Sequence, residues 1–162
     1  MTTGAFSMRV NLADLTGQLD ADATAIEATA RPVAQAAAQL FYDEVKRNVA
    51  RLKRHTGNLD RSIYQAYSKD QSGEGFATYH VSWNAKKAPH GHLVEYGHLQ
   101  RFEISFDRAT GRFITHKDRP LSPPRQVAAK PFVRPALSKA EAALDAATAE
   151  LFRQLETAGV VQ

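Results

Sequence analysis

The stretch His90-Gly91-His92-Leu93-Val94-Glu95-Tyr96-Gly97-His98 gathers more potential chemistry than any other short segment of the chain. Imidazoles one residue apart with a carboxylate nearby suit zinc, iron or nickel. On a strand His90 and His92 would share a face, and on a helix Glu95 would neighbour both His92 and His98 at i, i+3. Glycines break the segment on both sides, and no other segment supplies an evident fourth ligand. His90, His92, Glu95 and His98 are therefore weak metal candidates, and no metal or other cofactor is expected.

A second arrangement is acid–base work by a histidine pair on a basic surface, as in small ribonucleases. His55, His80 and His116 lie near Arg54, Lys86, Lys87 and Arg119 in the sequence. Imidazole shuttles protons near neutral pH, and the cations would hold phosphate. The spacing singles out no pair. A third possibility is base stacking by Tyr64, Tyr67, Tyr79 and Trp83, which alternate with polar residues. Such residues serve nucleic acid when exposed on a basic face, and otherwise line the buried side of a sheet. The chain lacks GxxxxGK[ST], GxGxxG, GxSxG and HExxH, which weakens nucleotide-hydrolase, esterase and zincin readings. It has no cysteine, which excludes a disulfide scaffold, a thiol nucleophile and a thiolate zinc site.

The elements that must carry these residues follow from periodicity. Apolar residues recur at steps of three and four from Leu12 to Leu52. Pro32 should break or sharply kink that run near Arg31, giving helices over about 12–29 and 32–53. The period then falls to two. Ile63–Tyr67 and Tyr79–Trp83 flank a glycine-rich turn and read as a hairpin. Gly91–Gly97 reads as one or two helical turns. Phe102, Ile104 and Phe106 alternate with Arg101, Glu103, Ser105 and Asp107, and a turn at Arg108–Gly111 leads to a short strand, Arg112–His116. Residues 117–131 hold four prolines and four basic residues and read as an irregular connector. A last helix opens at Pro135, with Ser138 and Glu141 placed for a capping box and Leu137, Ala140, Leu144, Ala147, Leu151 and Leu155 as its buried face. The expected class is α+β, with N-terminal helices and a C-terminal helix on a small antiparallel sheet of two hairpins. The 162 residues suit one domain: a helical arm over 1–31, a helix and first hairpin over 32–99, a projecting hairpin and basic connector over 100–131, and a helix over 132–158.

Charge is divided along the chain. Residues 1–45 carry two basic and six acidic side chains, residues 46–134 carry seventeen and seven, and residues 135–162 carry two and four. A basic middle between acidic ends can meet nucleic acid or an acidic protein surface, or can reflect two solvated acidic helix faces. No apolar run reaches the roughly 20 residues that span a bilayer. The first residues lack a signal-peptide pattern, so an intracellular soluble domain is the expectation.

Three short signatures in order are more telling than any single residue. Thr56-Gly57-Asn58-Leu59-Asp60-Arg61-Ser62-Ile63 follows an amphipathic helix; Ala88-Pro89-His90 leads to Leu93-Val94-Glu95-Tyr96-Gly97; and Lys130-Pro131-Phe132-Val133-Arg134-Pro135-Ala136-Leu137 opens the last helix. From about Ala34 to the C-terminal helix the chain resembles the tail-component family of long-tailed, siphovirus-like bacteriophages, the tail completion or tail-to-head joining proteins. It departs from that pattern at His90, where the family usually has an aromatic, at His98, where a small hydroxyl is usual, and in a longer 102–116 hairpin.

The resemblance implies a virion structural protein without enzymatic activity. Several copies, six by analogy, would form a ring between the head connector and the tail terminator or tail tube. DNA would pass through the channel without specific binding, and no membrane would be involved. The protein would reside in the virion at the head–tail junction and in the host cytoplasm during assembly. Alternatives from other classes are a basic nucleic-acid-binding module and a small His-dependent hydrolase. The residues themselves read as scaffold, with one exception. Glu95 is a carboxylate between core positions that can pair with Arg61, with Arg134 or with a neighbouring subunit. Loops and hairpins on a rigid scaffold usually carry recognition. That makes Arg101, Arg108, Arg112, Lys117, Arg119 and Arg125 the candidate interface residues, on a hairpin expected to pack one face and project from the core.

Overall fold

Small apolar side chains at steps of three and four set the longest element. Helix α1, Ala23–Ala50, buries Ala30, Val33, Ala34, Ala37, Ala38, Phe41, Val45 and Val49 along one side. The computed structural model describes residues 6–11, 23–52 and 56–159. Strand β1, Phe6–Asn11, precedes α1. After it come α2 (Asn58–Ser62), β2 (Ile63–Tyr67), a 3₁₀ turn (Lys69–Gln71), β3 (Phe76–Trp83), α3 (Gly91–Tyr96), β4 (His98–Asp107), β5 (Arg112–Val127), a second 3₁₀ turn (Arg134–Lys139) and α4 (Ala140–Thr157). The class is α+β, as the two periodicities imply.

The strands form two separate antiparallel sheets. In the first, β3 lies between β1 and β2, with Ile63 opposite Trp83, Tyr67 opposite Tyr79 and Met8 opposite Tyr79 on the other side. Ala77, Tyr79, Val81 and Trp83 alternate along β3 into the core beneath α1. Helix α4 packs along another side of α1, where Ala136, Ala143 and Ala147 meet a helix that is itself alanine-rich. Small residues on both sides let two helices approach closely. The second sheet is the two-stranded ribbon β4–β5.

Four expectations need correction. The helix does not break near Arg31: Pro32 lies inside α1. The missing hydrogen bond and the ring clash cost about 3 kcal/mol. Thr29 and Ala30 are buried before the proline, and Val33 and Ala34 after it. Holding both halves on one packed face outweighs that cost, since one buried Val alone contributes about 1.5–3 kcal/mol. The arm over 1–31 is not wholly helical either, because 6–11 is a strand on β3 and 23–31 belongs to α1. The expected helical residues 12–22 lie outside the described residues.

The basic connector is not irregular up to Val127. Strand β5 runs through Pro120, Pro123 and Pro124. Each strand of a two-stranded ribbon has a free edge, where a residue without an N–H loses no ladder bond. The pairing shifts between Gln100 and Glu103, which absorbs the extra β5 residues opposite.

The last helix keeps the later half of its expected buried face, Ala147, Leu151 and Leu155, but not the first half. No side-chain cap forms at Lys139, and the segment from Pro135 is a 3₁₀ turn. Three residues per turn in place of 3.6 change which side chains face inward at the start of this segment. Ala136, Ala143, Ala147 and Leu155 are buried and Leu151 partly so, whereas Leu137 and Leu144 are 54% and 67% exposed.

Candidate functional site

Helix α3 brings the central signature against the last one. The Glu95 side chain is fully buried. Its Oε2 accepts hydrogen bonds from the backbone N–H groups of Phe132 (2.7 Å) and Val133 (3.0 Å). Its Oε1 accepts from the backbone N–H and the Nε of Arg134, both at 3.1 Å. Arg134 Nη2 donates to the Glu95 carbonyl at 2.7 Å. Of the two intramolecular partners weighed for Glu95, Arg134 is the one present. Arg61 instead donates to the Thr56 carbonyl and to Asn58 Oδ1.

The clamp seats Phe132, which is wholly buried. Its ring meets Trp83 edge-on at 5.5 Å, and its carbonyl accepts from Asn48 Nδ2 at 3.1 Å. Gly91 lies beneath the same indole, where any β-carbon would overlap the Trp83 ring. A β-carbon on Gly97 would likewise stand 2.7 Å from the Val127 carbonyl oxygen, and its φ of 73° is one that L side chains rarely adopt. Strand β4 departs right after Gly97 and β5 returns at Val127, and the Lys130 N–H donates to the Val94 carbonyl at 2.8 Å. The ribbon is therefore rooted on the Glu95 clamp.

Among the described elements, the ribbon's strands β4 and β5 pack chiefly on each other. Phe106 pairs with Phe113 and Ile104 with Thr115, so these share one face, while Glu103 with His116, Ser105 with Ile114 and Asp107 with Arg112 share the other. The alternation is as expected, but the apolar face is not buried. Ile104 is 44% exposed and Phe113 56%. All six candidate interface residues, Arg101, Arg108, Arg112, Lys117, Arg119 and Arg125, are exposed on this ribbon. Arg119 reaches Glu103 at 3.5 Å and Asp118 at 3.8 Å.

The histidines do not converge on Glu95. His92 is exposed, His90 and His98 lie at the two ends of α3, and the Glu95 carboxylate is committed to residues 132–134. Partial burial, helped by the nearby His92, holds His90 below the usual imidazole range. Among the described residues no three His, Cys, Asp or Glu side chains gather as a metal site. His80 sits on β3 and His116 on the ribbon, and His55 lies outside the described residues. His116 Nε2 shares a hydrogen bond with Ser105 Oγ, 2.8 Å apart, in an open hollow of about 290 Å³. The neighbouring Glu103 is turned to Arg119. The stacking set also divides: Tyr79 and Trp83 are core, and only Tyr64 and Tyr67 reach solvent.

A family described as “Bacteriophage HK97-gp10, putative tail-component” matches residues 13–97, just over half of the 162 residues. The chain belongs to this HK97-gp10-like family. No curated protein and no solved structure matches it. Membership in a family of phage tail components gives the chain a structural role in the virion. The match begins earlier than Ala34 and ends at Gly97, so it takes in α1 and the first two signatures but not the third. The ribbon starts one residue beyond it. Among the described residues, no helix is long and apolar enough to cross a membrane.

Sequence reasoning missed two features. The clamp requires Glu95 and Arg134, but its real targets are backbone N–H groups, which leave no trace in residue type. The exposure of Ile104 and Phe113 was hidden because alternation reports which residues share a face, not how deeply that face is buried.

Proposed function

We propose that this tail component is a non-enzymatic neck protein, a ring of six copies that joins the head connector to the tail terminator or tail tube around the DNA channel. The observation that carries the reading is the ribbon. A five-bond clamp roots a two-stranded hairpin whose apolar face leaves Ile104 and Phe113 44% and 56% exposed. Isolated hairpins are marginal in water, so a ribbon built this way is suited to binding another surface. Family membership supplies the virion setting, and the exposed basic residues supply a charge that orients docking.

The test is removal of the gene. The expected lysate contains DNA-filled heads and finished tails that do not join. Normal joined particles under the electron microscope would overturn the proposal.

A further inference from the structure

The polar face of the ribbon carries a row of arginines. The pairs Asp107 with Arg112, Ser105 with Ile114 and Glu103 with His116 lie on that face. The pairing shift between Gln100 and Glu103 turns the strands, so Gln100, Arg119 and Arg125 line the same hollow as Ser105 and His116. Arg112, Arg119 and Arg125 therefore follow one another along one side of the ribbon, from the hairpin turn toward the root.

Few acids oppose that row. The ribbon holds six cations, five of them arginine, against Glu103, Asp107 and Asp118. The Asp107 carboxylate is turned to the hairpin turn, where it accepts from the Ala109 N–H at 2.9 Å and the Thr110 hydroxyl at 2.7 Å. Glu103 and Asp118 both lie against Arg119. Arg112 and Arg125 are exposed and meet no carboxylate among the described residues. Between them the Ser105 hydroxyl and the His116 imidazole, 2.8 Å apart, add polar groups to the hollow.

A guanidinium fork matches phosphate and carboxylate oxygens alike, so spacing decides between them. Arg112 and Arg125 pair with Asp107 and Gln100, seven residues apart on β4. At about 3.3 Å per residue that separation is roughly 23 Å. It equals the rise of about seven nucleotides in one strand of duplex DNA, at about 3.4 Å each. A two-stranded ribbon also fits the major groove, which is about 12 Å wide. An acidic protein surface would need its own carboxylates placed along such a line, whereas every stretch of DNA has phosphates there.

We propose that the polar face of the ribbon binds the sugar–phosphate backbone of duplex DNA, with Arg112, Arg119 and Arg125 each on a phosphate. Such contacts position the duplex and carry no sequence information. The contact rests on the neck reading above, which brings DNA within reach, and names what touches it there.

The test titrates full-length protein into a labelled DNA duplex of about 20 base pairs, two helical turns, and follows fluorescence anisotropy. Three phosphate contacts give a slope of about −2.7 in log K against log salt, an affinity loss of about 40-fold between roughly 50 and 200 mM. Arg119→Gln with Arg125→Gln should reduce that loss to about fourfold at an unchanged thermal midpoint. Lys117 alternates with His116 and so lies on the other face; Lys117→Gln should leave the salt dependence as it is. AT-rich and GC-rich duplexes should bind equally. No binding at low salt, or an equal effect of Lys117→Gln per charge removed, would overturn the contact and leave the neck reading to its own gene-deletion test. A double variant that binds DNA as wild type does, yet fails to join heads to tails, would also overturn it and assign these arginines to a protein surface. Face-dependent DNA binding alongside normally joined particles in the gene-deleted lysate would uphold the contact and remove the neck reading.

Discussion

Glu95 and Arg134 form an ion pair 3.1 Å long in which the partners are unequal: the glutamate is fully buried and the arginine side chain is 53% exposed. Three of the four hydrogen bonds that the carboxylate accepts come from the peptide chain at 132–134. The glutamate is therefore a backbone clamp, and the arginine closes its outer side while lying 5.0 Å from the Tyr96 ring. A buried peptide N–H without an acceptor costs free energy comparable to a lost hydrogen bond. The clamp thus fixes the path from the ribbon into α4.

Removing the carboxylate should be costly. Glu95→Ala strands buried donors and is expected to lower stability by about 3 kcal/mol or more. Arg134→Ala, which leaves the three backbone bonds intact, should cost markedly less. Chemical denaturation of both variants checks the order. Equal losses would mean that the ion pair, not the backbone capture, carries the energy.

Gly91 gives a second, steric expectation. A β-carbon there would sit 2.6 Å from Trp83 Cδ1. The indole is 2% exposed and packed on Phe132, so it has little room to yield. Gly91→Ala should cost about 1–3 kcal/mol, the usual range for overpacking. Trp83 is the only tryptophan, so its emission reports the displacement directly. Unchanged emission and unchanged stability would show that the site relaxes freely.

Pro32 marks where sequence logic was overruled. Its ring forbids one hydrogen bond, yet the buried stripe runs on through it. Pro32→Ala should therefore stabilise the protein, by up to about 3 kcal/mol. A destabilised variant would mean that the proline fixes a bend the core needs. The same contrast explains what could be read from residues alone. Local rules found the β2–β3 hairpin, the short helix 91–96 and the alternation of 102–106, because each depends on near neighbours. Tertiary facts were out of reach: the β1 strand adds to β3 across the α1 connection, and the turn before α4 is 3₁₀, which residue periodicity does not encode. The exposure of the six basic residues was legible by charge and connector composition, whereas the partial exposure of Ile104 and Phe113 was not.

His90 makes a pH-dependent expectation. Its imidazole is held below the usual range, chiefly by partial burial and then by His92. The folded state thus resists protonation more than the unfolded chain, and stability should fall as pH drops below about 6.5. His90→Asn is neutral throughout and should lose less stability than wild type between pH 7 and pH 5. Parallel losses would place the acid sensitivity elsewhere. Elemental analysis should also find less than one zinc, iron or nickel per chain, and His90→Ala with His92→Ala should fold normally. One tightly held ion lost in that double variant would restore the metal candidates.

Charge reversal on the ribbon separates docking from folding. Arg108, Arg112 and Lys117 are exposed, near or beyond the hairpin turn, and far from the clamp in the chain. Exposed substitutions of this kind usually cost within about 0.5 kcal/mol each. Changing all three to glutamate should leave the isolated protein folded, with its thermal midpoint nearly unchanged, yet head–tail joining should fail. Attraction between complementary patches is screened over roughly 8 Å at physiological salt, so the defect should concern docking and not folding. A ribbon variant that joins heads to tails as wild type does would show that these cations serve no contact in the virion.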